Sequence, residues 1–432
     1  MTRLPVVVVG AGHCGLAMSR HLADRSIDHV VLDRGEVANS WRTERWDSLR
    51  LLTPNWLTRL PGHAYDGADP DGYMTAGEVA GFIQGYADAS GAPVQTNTTV
   101  ESVAAAADGG YRVRTDQGEW NAYAVVVASG ACNLAKVPVV AESLPAGITS
   151  ISTLEYRNPE QIPEGGVLVV GAAASGIQIA DELISAGRQV TVSTGEHVRM
   201  PRRYRGADVM WWMESAGVLD QRYDEVDDIV RVRHVASMQL TGSDDARTLD
   251  LNRLTDRGAR LVGRLEAVHS GRILMFAGSL PNVCALADLK LRRLLEGFDA
   301  WAEEAGIDVP EPPERYPDTA VPSPPEIEID LTSGEIRTII WATGYKADLS
   351  WLEVPVLNTR GRLVHDGGLT TFPGLYLLGM PFLRRRKSTL IDGARVDTAD
   401  LFPHLVEHLD AVAANGAAPR RFVRDAGEPA TL

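Results

Sequence analysis

The sequence predicts an α/β chain built of two doubly wound units, and three observations carry the prediction. An unbroken apolar run, Val6 to Val9, leads into Gly10-Ala11-Gly12-His13-Cys14-Gly15, and a second, Val167 to Val170, leads into Gly171-Ala172-Ala173-Ala174-Ser175-Gly176. Each is followed by a helical stretch and another apolar run, the order strand, glycine turn, helix, strand of a βαβ unit. Continuous β-branched runs, rather than alternating ones, mark strands buried on both faces of a parallel sheet. At 432 residues the chain also exceeds one ordinary core and has room for two or three domains.

Composition narrows the class. Hydrophobic residues at 44% and charged ones at 23% are those of a folded globular enzyme, while 41 glycines and 24 prolines indicate tight loops rather than disorder. The 42 basic and 57 acidic residues leave a net charge of -15, which argues against nucleic acid or an anionic membrane as partner. Cys14, Cys132 and Cys284 lie far apart with no C-x-x-C, so neither a disulfide framework nor a dithiol redox pair is expected, and a cytoplasmic setting is. The opening "MTRLPVVVVGAGHCGLAMSRHL" is basic, then apolar, then small, but the glycine turn inside its apolar run favours a strand and helix over a signal peptide. The sequence contains no H-E-x-x-H or histidine cluster, so no metal is expected, and no apolar run of roughly eighteen residues, so no membrane span is expected.

In the first unit Gly10, Gly12 and Gly15 supply the tight turn, the close approach to a pyrophosphate and the close helix packing of a dinucleotide fingerprint. The helix that follows aims its free N–H groups at the phosphates. The next apolar run, His29 to Leu32, ends at Asp33, about twenty residues on, where a carboxylate accepts ribose hydroxyls. After it comes "GEVANSWRTERWDSLRLLTPNWLTRLPG", rich in Trp and Arg, without the alternating strands and helices of a nicotinamide dehydrogenase.

The runs N-S-W-R and W-D-S-L-R-L-L-T-P-N resemble the region after the FAD fingerprint of the class B flavoprotein monooxygenases, the group of flavin-containing and Baeyer-Villiger enzymes. The resemblance spans roughly Pro5 to Leu405 and includes A-T-G-Y at Ala342 to Tyr345. It implies that Ser40 and Trp41 border the flavin and that Asn55 hydrogen-bonds near its reactive edge, as the catalytic residue. It also implies that Val100 lies near the adenine and that "VVVASG", with Ala128 and Gly130, ends beside the pyrophosphate. Arg34, Arg42, Thr53, Thr343, Gly344 and Gly379 join the cofactor-contacting set on the same ground. One family motif is missing: F-x-G-x-x-x-H falls on Ala146, Ile148 and Ser152.

In the second unit Gly171 makes the turn and Ser175 and Gly176 open the helix, but Ala173 stands where the second fingerprint glycine belongs. An alanine there is compatible with a nucleotide if the position keeps extended or helical angles. Where the first unit has Asp33, this one has Ser193 and Thr194, which removes repulsion against a 2'-phosphate. Arg199, Arg202 and Arg203 follow, and planar guanidinium groups suit phosphate. The combination favours NADPH, with Arg202 or Arg203 gripping the 2'-phosphate; pairing of these arginines with acids such as Glu196 and Asp208 stays open.

Elsewhere alternatives also stay open. Trp211 and Trp212 either line a pocket or sit in the core, the helix Cys284 to Ile307 reads as packing, and Arg384 to Lys387 reads as an anion site or a solvated loop. The expected organisation is an FAD-binding domain over residues 1–160, an inserted NADPH-binding domain with a helical, substrate-related insertion over 161–325, and a return to the FAD domain with a C-terminal helix over 326–432. The resemblance implies two Rossmann-like dinucleotide-binding domains and a monooxygenase that uses FAD, NADPH and O2 through a C4a-peroxyflavin. N- or S-oxygenation of a small molecule is favoured. Baeyer-Villiger oxygenation, an FAD-dependent oxidase or reductase, and an NADPH-sensing binding protein are the alternatives, and a homodimer is left open.

Overall fold

The computed structural model describes residues 3–359 and 361–416. In chain order, the elements that position the site are β1 (Leu4–Val9), α1 (His13–Asp24), β2 (His29–Leu32), α2 (Ala76–Ser90), β3 (Val94–Gln95), β4 (Val100–Ala105), β5 (Tyr111–Thr115), β6 (Gly118–Val127), β7 (Thr149–Ser152), β8 (Gly166–Val170), α3 (Ala174–Ser185), β9 (Val190–Thr194), α4 (Val209–Ser215), β10 (Arg260–Gly263), α5 (Leu280–Glu304), β11 (Ile336–Trp341), β12 (Leu375–Leu377) and α6 (Ile391–Ala414).

Two parallel cores organise these elements. The first sheet runs β12-β6-β1-β2-β3, extended beyond β12 by short strands at 365–366 and 369–370 and carrying the β4–β5 hairpin on β6. The second runs β7-β11-β8-β9-β10, with every pairing parallel. Val6 and Val8 pack toward α1 and α6 while Val7 and Val9 enter the core on the opposite face, and Val167 and Val169 alternate in the same way with Leu168 and Val170. That double burial explains the unbroken apolar runs, since each side chain so buried contributes about 1.5–3 kcal/mol.

The register brings the functional turns to one edge of each sheet. Val9 aligns with Leu32 and with Val127, so Gly10, Asp33 and Ala128 emerge together. Val170 aligns with Ser193 and Trp341, and Thr194 with Gly263, so Gly171, Gly195, Arg264 and Ala342 emerge together in the second sheet. The second sheet therefore draws strands from Thr149 through Trp341, extending on both sides of the expected 161–325 span. The A-T-G-Y strand, expected in the returning FAD segment, is β11 of this sheet, between β7 and β8; a strand and its turn look the same in sequence whichever sheet accepts them. Residues 417–432 of the expected C-terminal segment lie outside the described residues.

Tertiary packing settles the open alternatives. Trp212 is fully buried against Tyr204, Phe298 and Trp301 and donates its indole N–H to the Tyr204 carbonyl at 2.8 Å, so it is core. On α5, Leu280, Cys284, Leu291, Leu295 and Phe298 are buried, as a packing helix requires. Arg384, Arg385 and Lys387 are held by Asp397, Asp400, Asp220, Glu214 and Asp392 rather than solvated.

Candidate functional site

The first cradle is built from three backbone turns. Gly10 holds φ +109 with the Ala128 carbonyl only 2.5 Å from where a Cβ would stand, so β6 closes against the turn. At Gly15 a Cβ would stand 1.9 Å from the Gly10 carbonyl oxygen, which fixes how tightly α1 seats on β1. At Gly12 a Cβ meets nothing within 4 Å among the described residues, so the space above the turn is open. Thr75, Asp208 and Asp250 cap their own helices by side-chain hydrogen bonds, whereas Gly12 caps α1 with none. The first-turn N–H groups of α1 are thereby left to an anion.

Asp33 closes the cradle from β2. Its carboxylate accepts the Ala11 N–H at 2.7 Å and the Gly35 N–H at 3.0 Å, and burial pushes its pKa up despite those donors. Burial also lowers the His13 imidazole to about 4, so this residue at the start of α1 is neutral near pH 7 and the positive field at the cradle comes from the helix terminus. Cys14 is buried behind the turn, its thiol pushed up by burial and by Asp397, and a Cβ at Gly379 would stand 2.9 Å from its sulfur. Gly379 thus lets the chain after β12 close on the fingerprint helix.

The second cradle repeats the first almost atom for atom. Gly171 holds φ +118 with the Ala342 carbonyl 2.3 Å from a notional Cβ, and a Cβ at Gly176 would stand 1.9 Å from the Gly171 carbonyl. Gly130 and Gly344, in the turns after β6 and β11, both hold φ +89. Ala173 adopts φ -84, ψ -174, against φ -83, ψ -179 for Gly12, and caps α3 with no side chain. The conformation is extended and suits any residue, so the alanine leaves the turn intact and places one methyl group at the ligand's opening. Sequence alone left that angle undecided.

The structure places the other predicted residues as follows. Ala38 donates its N–H to the Ala11 carbonyl and accepts that of Trp41, tying Ser40 and Trp41 to the first fingerprint; Arg42 donates to the Val37 carbonyl and Arg34 pairs with Glu44. Thr98 donates to the Asp33 carbonyl, which carries Val100 to the end of β2. Thr53 and Asn55 are buried, and the Asn55 amide is braced by the Asp69 carbonyl and the Met74 N–H, both at 2.9 Å. Thr343 donates to the Lys136 carbonyl, and Ser175 lies 3.5 Å from the Tyr345 hydroxyl, which also accepts from Thr153 at 2.7 Å.

At the second cradle Ser193, Arg199 and Arg202 are engaged by partners within the protein. The buried Ser193 hydroxyl donates to the Gly263 carbonyl and accepts the Leu265 N–H, joining β9 to the end of β10. Arg202 is fully buried, held by the Leu52 carbonyl and Asp208 and stacked 4.9 Å over Tyr73, so it braces the 50–55 segment instead of reaching a phosphate. Arg199 is likewise enclosed by Asp250 and Asp288. Arg203 stays exposed, on a two-stranded ribbon with Asp208. The sequence reading missed Gln239, fully buried and donating to the Ala172 carbonyl at 2.7 Å. No motif surrounds it, and only the fold brings it under the second fingerprint. Tyr345 was within reach, as the last residue of A-T-G-Y.

With this geometry in place, comparison with known proteins is informative. The model of the pyridine nucleotide-disulphide oxidoreductase family matches residues 7–215. The chain is 32% identical over 407 residues to an uncharacterized CzcO-like oxidoreductase of Geobacillus kaustophilus, covering 93% of this chain and 98% of that one. It is 30% identical over 437 residues to the indole-3-pyruvate monooxygenase YUCCA4 of Oryza sativa, covering 93% and 87%. A flavin-containing monooxygenase from Stenotrophomonas maltophilia shares the fold with a TM-score of 0.65 at 20% identity, over 94% of this chain and 99% of that one.

Fold and cradles together define an oxidoreductase with two dinucleotide-binding units. The chain belongs to the class B flavoprotein monooxygenases, enzymes whose cofactors are FAD and a nicotinamide dinucleotide.

Proposed function

We propose that the protein uses FAD in the first cradle and NADPH in the second to oxygenate a small nitrogen or sulfur nucleophile with dioxygen. The observation that carries the reading is the pair of near-identical cradles that differ at one chemically decisive place. The first follows β2 with the carboxylate of Asp33, suited to ribose hydroxyls; the second ends β9 with Thr194, which bears no charge to repel a 2'-phosphate. The likeness to YUCCA4 supports oxygenation as the outcome.

Flavin reduced by NADPH supplies the activation of dioxygen, and the chain supplies binding and orientation. The α1 and α3 termini hold the two pyrophosphates, and Asp33 orients the FAD ribose. Asn55, its amide fixed at both ends by backbone partners, offers its second N–H to the reacting region from a rigid support.

The test is to purify the protein, record its flavin spectrum, and follow NADPH and NADH consumption and 18O incorporation from 18O2 across amines, thioethers and ketones. Bound FAD with label in an N- or S-oxide is expected. Absence of FAD sinks the reading, and label appearing only in esters from ketones replaces it with Baeyer-Villiger chemistry. Ala173→Gly removes the methyl group from the second opening, and we expect it to tighten NADP+ by about three- to tenfold in calorimetry. An unchanged Kd would show that the phosphates sit beyond that methyl.

A further inference from the structure

We propose that Arg264, at the end of β10, is the residue that grips the 2'-phosphate of NADPH. The inference rests on the reading of the second cradle as the NADPH site. The two units share a hydrogen bond that aligns them residue by residue: Gly10 donates to the Leu32 carbonyl at 2.7 Å, and Gly171 donates to the Ser193 carbonyl at 2.9 Å. Leu32 therefore corresponds to Ser193, Asp33 to Thr194, and Arg34 to Gly195. At the place where a 2'-phosphate would meet the chain, the second unit has a threonine with no charge, followed by a residue with no side chain.

Gly195 is not held at a positive φ, so conformation does not require a glycine there. Space does. The parallel register that pairs Thr194 with Gly263 sets Arg264 alongside Gly195, and the stem of Arg264 crosses the glycine with Cδ, Cγ and Cβ 3.7–3.9 Å from where a Cβ would stand. Arg264 thus lies against residue 195, at the strand end that Arg34 follows in the first unit. Its backbone is fixed, because Ala277 donates to the Arg264 carbonyl at 2.8 Å and the Ala277 carbonyl lies 1.8 Å from a notional Cβ on Gly263.

Its guanidinium remains available. The side chain is 70% exposed and, among the described residues, its ion pair is with Glu266 at 3.2 Å, itself half exposed. A surface pair of that kind is readily exchanged for a phosphate, which an arginine fork binds through two parallel hydrogen bonds. The competing arginines differ: Arg199 and Arg202 are enclosed by carboxylates, and Arg203 donates to the Gly206 carbonyl on its own ribbon. Thr194, fully buried with its hydroxyl unpartnered, contributes a neutral wall.

Calorimetry on the full-length, FAD-loaded protein tests the assignment with NADP+, NAD+, adenosine 2',5'-bisphosphate and AMP as ligands. Arg264→Ala is expected to weaken NADP+ and the bisphosphate by about 10- to 100-fold while changing NAD+ and AMP less than about twofold. Arg264→Lys should restore part of the loss, and Glu266→Gln, which frees the guanidinium, should tighten NADP+ by about two- to threefold. If Arg264→Ala keeps the preference for NADP+ while Arg203→Ala abolishes it, the assignment is overturned. If the unmodified protein itself binds NADP+ no better than NAD+, the NADPH reading of the cradle fails first.

Discussion

Gly12→Ala is expected to give a folded protein that holds FAD about three- to tenfold more weakly, whereas Gly15→Ala, three residues away, is expected to destabilise the first unit. The two outcomes follow from where a single methyl group would go. At Gly12 it meets no protein atom within 4 Å among the described residues and the backbone angles are ordinary, so folding is indifferent to it. It fills the opening through which a pyrophosphate reaches the first turn of α1, and the ligand bears the whole loss. At Gly15 it would stand 1.9 Å from the Gly10 carbonyl oxygen and 3.3 Å from a Val8 methyl. The nearest obstacle is the Gly10 backbone, which has nothing flexible to yield, so α1 must lift from β1, at a cost of about 3 kcal/mol or more. The paired measurement is thermal unfolding with the flavin-to-protein absorbance ratio. A Gly12→Ala protein that binds its flavin as tightly as the parent, or a Gly15→Ala protein with an unchanged melting temperature, would contradict this account of the cradle.

Asp392→Asn is expected to destabilise the protein by about 3–5 kcal/mol. Asp392 lies in the first turn of α6 with a fully buried side chain, bonded to Arg59 and Lys387 at 2.8 Å and Arg395 at 3.0 Å. Lys387 is itself buried and also meets Asp220 and Glu214. Neutralising the shared carboxylate takes from the buried Lys387 ammonium its one fully buried counter-charge, which is costlier than losing a surface pair. The network joins Arg59 beside the Asn55 segment to α4 and α6, so its loss loosens the wall that supports the candidate catalytic asparagine.

The same carboxylate gives a pH signature. Burial alone would raise the Asp392 pKa, but Lys387, Arg59 and Arg395 outweigh it and hold the carboxyl below the ordinary range. Its contribution is full above the unfolded value near about 4 and is lost as pH falls through the lower folded value. Acid unfolding of the parent protein should therefore steepen below about pH 4, and Asp392→Asn should flatten that limb. Equal slopes would remove Asp392 from the cause.

Much of the site was legible in the chain because its logic is local. Glycines at positions 10, 12, 15, 171 and 176, and the change from Asp33 to Ser193 and Thr194, sit within single βαβ units whose order of strand, turn and helix fixes their use. The arginines were misjudged for an equally physical reason. Proximity in sequence placed Arg202 near the end of β9, but Asp208, the Leu52 carbonyl and the Tyr73 ring enclose it. Arg264 lies 69 residues beyond Gly195 in sequence and beside it in space, because parallel strands put their C-terminal ends on one edge however long the connection. Gln239 under the second fingerprint was hidden in the same way.

The sequence by itself determined the two nucleotide units, their parallel sheets and the chemical contrast between them, since apolar runs and glycine turns act over neighbouring residues. Tertiary structure alone decided which sheet received the A-T-G-Y strand, which cations were enclosed and which stayed open, and that Ala173 keeps the same extended backbone as Gly12. Those outcomes depend on strand register and on burial of charge against distant partners, neither of which is encoded within reach of the residue concerned.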